Sequence, residues 1–365
     1  MENILIPAFS SVPLSSPTWL FVFFLVFTFF LHILFVNLTL GGTILLLVSK
    51  YISKVFGNNT YDEIAEEIGY LNTFNISFAV TLGVAPLLFL QTMYENFFYT
   101  SSILLSWKWL FVLAAIIFAY YFYYLYKFKP WYIKFSGGKG IIFIVFAAIM
   151  FLYVALIFVT NTTLSMQPEL WAEVYTGKIS AFSVKTLVPR LIHFVLAAIA
   201  FSGLFLMVYS KFRKNYSATL KDTMYNFGKK AFFYTTLAQI IVGIWFLFSH
   251  EKDIYMLLMG KNIVGTLFLL ISIVLTVFAL FYVYKNKENI FTLSALVLLI
   301  IASMVIVRRV VETGFFEKYF KLSELNAEPY WGIFAIFAIL LVSLLVVIYY
   351  SLKRIVKDMK NKAGA

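Results

Sequence analysis

The sequence predicts an all-α protein, a polytopic bundle of about nine transmembrane helices, and three observations carry that prediction. Hydrophobic residues make up 62% of the 365-residue chain and charged ones only 13%, against about 45–50% and about 25% in soluble domains. Nine stretches reach the roughly 20 apolar residues that a bilayer core requires, at about 19–49, 72–98, 103–126, 141–165, 187–210, 231–250, 263–284, 290–311 and 331–352. No barrel-like alternation is seen, and a backbone in lipid must satisfy its own hydrogen bonds, so the spans are helices.

Taken in order, span one is the longest, about 46 Å at ~1.5 Å rise per residue, so it tilts or protrudes. The residues before it lack the basic region and cleavage site of a signal peptide. The connections after spans three and five are lysine-rich, KFKPWYIKFSGGKG (127–140) and KFRKNYSATLKDTMYNFGKK (211–230), as is the tail at 353–365. Those after spans four, six and eight are mixed: SMQPELWAEVYTGKISAFSVKT (165–186), SHEKDIYMLLMGKN (249–262) and EKYFKLSELNAEPY (317–330). These loops are too short for a soluble domain, so residues 1–365 read as one integral domain. No internal repeat or low-complexity linker interrupts it.

Charge sets the expected orientation. Assigning alternate loops to one side places nineteen of the 29 Lys and Arg there with seven acids, and leaves ten of each sign opposite. The positive-inside rule then puts the N-terminus outside and the C-terminus in the cytoplasm. The net charge of +12 is thus a topology signal, and nucleic-acid binding is excluded.

Cysteine is absent. Disulfides, thiolate metal sites, iron–sulfur clusters and covalent c-type haem attachment go with it. A metal or haem must use His, Met or carboxylate, and the only histidines are His32, His193 and His250.

Ionisable groups inside a bilayer cost at least roughly 2.5–3.5 kcal/mol at mid-helix, which makes each one a functional candidate. His32, in FFLHILFVNLTLGG, is either a metal or haem ligand or a hydrogen bond across a helix interface. Arg190 and His193, in VPRLIHFVLAAIAFSG, share a face at i, i+3. They suit an iron ligand with a cation for a haem propionate, or equally a polar contact at a helix start. In VIVRRVVETGFF, Glu312 lies i+4 from Arg308 and i+3 from Arg309, either as a structural ion pair or as a carboxylate ligand or proton acceptor. Gln91 and Glu95 share a face at the end of span two, where Glu95 is a second catalytic candidate or merely interfacial. His250, with Glu251, is expected to be exposed and non-catalytic. There is no phosphate loop, zinc-hydrolase signature or nucleophile triad. Histidines scattered one per helix are the pattern of non-covalent haem held between transmembrane helices.

These motifs, in order, resemble subunit I of the cytochrome bd quinol oxidases over most of the chain. HILFVNLTLGG is similar to that family's first-helix His with FVPLTLG, FNISFAVTLGVA to FGINFALGVATG, and NTTLSMQPE to ANGWMQNP. RLIH resembles KFVH, and VETGFF resembles VEAGWF. The resemblance implies haem b, one to three groups, with His193 on a low-spin haem and His32 and Glu312 at further haems. Met259 would be the substitute sixth ligand, and Lys261 would stand near the family's arginine, with Arg309 a further cofactor-binding residue.

The departures shape the expected reaction. The long quinol loop is reduced to residues 249–262 and the GRxPW motif is replaced by EKYF, so quinol is not the expected donor. The expectation is a haem-binding subunit of a respiratory electron-transfer complex in the bacterial cytoplasmic membrane. Its partners would be a second membrane subunit, a c-type cytochrome or both, and the ligands are carried more firmly than oxygen reduction. The rival reading is a haem-free membrane anchor or transporter with structural His, Arg and Glu contacts. Paired interrupted helices, a transporter signal, are lacking.

Overall fold

In the computed structural model, the structure describes residue 6 and residues 12–128, 140–213, 215–285 and 289–363. The basic segment 127–140 therefore lies mostly outside the described residues. Among the described residues, twelve α-helices run α1 (Thr18–Phe56), α2 (Asn59–Met93), α3 (Glu95–Leu105), α4 (Trp107–Phe128), α5 (Ile141–Ser165), α6 (Trp171–Tyr175), α7 (Leu187–Phe212), α8 (Ala218–Ser249), α9 (Lys252–Met256), α10 (Ile263–Tyr284), α11 (Ile290–Phe316) and α12 (Trp331–Ala363). Among the described residues, nine of these are long and apolar enough to cross a membrane: α1, α2, α4, α5, α7, α8, α10, α11 and the Trp331–Ser351 part of α12. The chain is a multi-pass membrane protein.

Local chemistry sets several of the ends. Asn58, Ser217, Asn262 and Asn289 each accept a hydrogen bond from a backbone N–H in the first turn of α2, α8, α10 and α11, as capping residues do. Span two, expected at 72–98, starts at Asn59 because the polar run DEIAEE continues the same helix, and it ends at Met93. Ser106, at φ 53°, then turns the chain between α3 and α4.

The chain divides into two compact units. One comprises residues 1–9 and 23–320; the other comprises residues 10–22 and 321–365. In the second, Leu14 forms a parallel bridge with Ala327. Leu14 N–H donates to Asn326 C=O, and the N–H groups of Glu328 and Tyr330 donate to the carbonyls of Leu14 and Ser15. Among the described side chains, none in Trp331–Ser351 is buried.

The first unit packs through small residues, as helices do where lipid gives no hydrophobic drive to associate. A Cβ on Gly41 of α1 would lie 1.9 Å from the Ala198 carbonyl oxygen of α7, so the LTLGG motif is the crossing point of two backbones. Gly203 and Gly228 make the matching close approach of α7 to α8, each hypothetical Cβ falling within 2.6 Å of the other's carbonyl oxygen.

Polar contacts also hold α1, α2 and α4 of this unit together. Buried Asn72 donates to the Thr39 carbonyl (3.1 Å), Thr43 Oγ1 (3.3 Å) and Tyr123 OH (3.0 Å), and its Oδ1 accepts from Asn75 (3.0 Å). Lys50 and Asp62 pair at 3.1 Å between α1 and α2. Asn72→Leu strands several of these groups, at about 1–3 kcal/mol each for a buried unsatisfied partner. The expected result is a melting temperature several degrees lower in detergent; an unchanged one would show that the network contributes little.

Candidate functional site

His32 is seated on α2. Its Nδ1 lies 2.9 Å from the Ala79 carbonyl oxygen; a carbonyl only accepts, so Nδ1 carries the proton and Nε2 keeps its lone pair. That is the tautomer a ligating imidazole uses, fixed by a backbone carbonyl as such ligands often are. The seat exists because position 83 is glycine: a Cβ there would come within 2.7 Å of His32 Cε1. Pro86 follows three residues later inside the same helix.

His193 lies in the groove between α7 and α8. Gln239 Nε2 donates to His193 Nε2 at 3.3 Å, while His193 Nδ1 is buried with no partner among the described residues. The ring packs on α8 at Gly243, where a Cβ would lie 3.4 Å from Cε1 in ordinary contact. The next residue on that face of α8, Phe246, lies 6.1 Å from the His193 ring and beneath the Arg190 guanidinium at 5.4 Å. Arg190 Nη1 is likewise buried without a partner among the described residues.

On α11, Glu312 is buried at 3% exposure. Arg308 Nη2 approaches Oε1 at 2.5 Å and Arg309 Nη1 approaches Oε2 at 3.9 Å. Neither Glu312 Oε1 nor Arg309 Nη1 makes an aligned hydrogen bond among the described residues, so these contacts are charge pairs rather than directed bonds. Arg308 also lies 4.1 Å from the centre of the Phe29 ring, one turn from His32, and Arg309 Nη2 donates to Tyr94 OH at 2.5 Å. Arg308 acts electrostatically on His32, and both Arg308 and Glu312 act on Arg190. His32, Arg190, Arg309 and Glu312 thus gather at one end of the bundle, with His193 one turn from Arg190.

Three other expected residues have different settings. Met259 is half exposed on the kinked turn Leu257–Lys261. Lys261 pairs with Asp253 at 3.2 Å, both exposed. Glu95 opens α3 in its first turn.

His250 corrects its expectation. It is buried at 9% exposure, because Phe246 and Phe315 close over it with ring centres 4.8 and 6.1 Å away. Burial, with the Arg190 charge, pushes its imidazole down to about 4, so it is neutral at ordinary pH. Gln239 and Tyr94 were missed as well, since their partners lie 46 and 215 residues away along the chain and no local pattern marks such contacts.

Among the described residues, no three His, Asp or Glu side chains come together as they would around a bare metal ion. The class defined by fold and site is therefore a multi-pass helical membrane protein whose single histidines and the Arg–Glu contacts around buried Glu312 converge at one end. Its fold is similar to that of a chain of the bd oxidase from Geobacillus thermodenitrificans, with a TM-score of 0.71 over 92% of this chain and 97% of that one, at 13% identity. No family model and no curated protein matches the chain.

Proposed function

We propose that the chain is a haem b-binding subunit of a bd oxidase-like respiratory electron-transfer complex in the bacterial cytoplasmic membrane, N-terminus outside and C-terminus inside. The observation that carries this reading is the pair of half-buried histidines on separate helices, His32 seated against a glycine and His193 packed on α8, with an unpartnered Arg190 nitrogen at the same end among the described residues. His193 and His32 hold iron. Arg190, whose Nη1 has no partner among the described residues, and Arg309, paired loosely with Glu312, suit the carboxylates of a macrocycle, and Glu312 stands as a further ligand or proton acceptor. A bound haem supplies a one-electron couple whose potential depends on ligand identity, hydrogen bonding and burial.

The chain's own residues set those conditions. Ala79 holds the His32 proton on Nδ1, and His193 Nε2, which accepts from Gln239, would give up that hydrogen bond on ligating. Phe246 and Phe316 help exclude water, and Glu95, in the first turn of α3, is the proposed proton-transfer carboxylate. The donor in this reading is a c-type cytochrome or a second membrane subunit, because residues 249–262 offer only short helical turns where a quinol-binding loop would be. Met259 and Lys261, both exposed, are left outside the ligand set.

The test is a reduced-minus-oxidised spectrum of protein purified from a haem-replete host. Soret and α-band changes are expected, His193→Ala should remove a low-spin signal, and His32→Ala should leave that signal in place while altering another haem. A featureless wild-type spectrum would sink the reading in favour of a haem-free anchor.

A further inference from the structure

His250 is built as a ligand. Its Nδ1–H donates to the Phe246 carbonyl at 2.9 Å, which fixes the tautomer and leaves the lone pair on Nε2. That nitrogen is buried without a partner among the described residues. Aromatic rings cover two sides of it, and the adjacent carboxylate, Glu251, is taken by Lys318 at 2.7 Å. A buried acceptor left unsatisfied is costly, and nothing in the ion pairs described above uses this one.

The position of the ring says what it serves. Gln239, Gly243 and Phe246 fall at i, i+4 and i+7 on one stripe of α8, and His250 is the residue that ends the helix. His193 packs on the first three of these, and Phe246 is a ring that both imidazoles approach. Met259, the alternative, is half exposed on a kinked turn.

Resting on the haem reading above, we propose that His250 is the second protein ligand of the centre that His193 would hold. The low-spin site is then bis-imidazole, with His250 Nε2 donating its lone pair to the iron. A plainer role for Nε2 is to accept from the unpartnered Arg190 Nη1, and the variants separate the two: glutamine keeps a hydrogen-bond acceptor but is no haem ligand.

The experiment uses the full chain with its haem. Near-infrared magnetic circular dichroism and low-temperature electron paramagnetic resonance of the ferric protein distinguish imidazole–imidazole from imidazole–thioether ligation. The wild type is expected to give the first. His250→Ala and His250→Gln should both turn the low-spin signal high-spin, added imidazole should restore it in His250→Ala, and Met259→Leu should change nothing. A low-spin signal intact in His250→Gln, or one lost in Met259→Leu, overturns the proposal. Should neither His250 variant accumulate, the wild-type ligand signature decides alone. A haem-loaded wild type with thioether ligation overturns this inference only; a wild type without haem overturns the haem reading with it.

Discussion

Glu312→Ala is expected to cost the protein about 3–5 kcal/mol, the usual penalty for leaving a buried charge without its partner. The carboxylate is 3% exposed and stands between two arginines. Its loss leaves Arg309, with 11% of its side chain exposed, holding only the neutral Tyr94 hydroxyl. Arg190, whose charge also feels Glu312, loses its favourable neighbour too. A clear fall in melting temperature should follow in detergent. The double variant Arg308→Leu with Glu312→Leu should recover part of it, since an apolar pair of similar volume often replaces a buried ion pair without loss. Were Glu312→Ala to melt with the wild type, the α11 cluster would not be a structural element of the bundle.

The second large effect is expected at the crossing of α1 and α7. Gly41→Ala places a methyl carbon 1.9 Å from the Ala198 carbonyl oxygen and 2.6 Å from Ser202 Oγ. Backbone atoms cannot rotate aside, so the two helices must part. Overpacking ordinarily costs about 1–3 kcal/mol when side chains absorb it, and here they do not. Gly41→Ala should lower stability by more than that range, and Gly41→Leu should yield no monodisperse protein on size exclusion. Gly332→Ala is the control, because nothing lies within 4 Å of a Cβ there. Equal yields of Gly41→Leu and Gly332→Ala would show that α1 and α7 do not approach as described.

The number of spans was legible because hydrophobic length is a local property: the expected 141–165 and 263–284 coincide with α5 and α10. Ends were read less well wherever polarity and helicity part company. The start of α2 runs thirteen residues beyond the apolar stretch, since Asp62 at that polar start pairs with Lys50 of α1. Tyr94 interrupts a run that hydropathy treats as continuous. For the site, periodicity grouped Arg190 with His193 and Arg308 and Arg309 with Glu312, because those pairs lie within one helix. Contacts between helices left no local mark. Hence His250, polar by sequence and next to Glu251, was expected in water, although Phe246 and Phe315 bury it. Met259, apolar by sequence, stands half exposed where the backbone kinks at Gly260, φ 121°.

The bridge between Leu14 and Ala327 carries a rule of parity. Two residues joined by main-chain hydrogen bonds lie on one face of the membrane, so the chain between them crosses an even number of times. Eight of the nine candidate spans lie in that interval, and eight satisfies the rule. The same bridge sets an order on biogenesis. The segment made first waits for its mate until all eight crossings have been synthesised, so a nascent chain that stops short of Asn326 leaves the entry to its first helix unpaired.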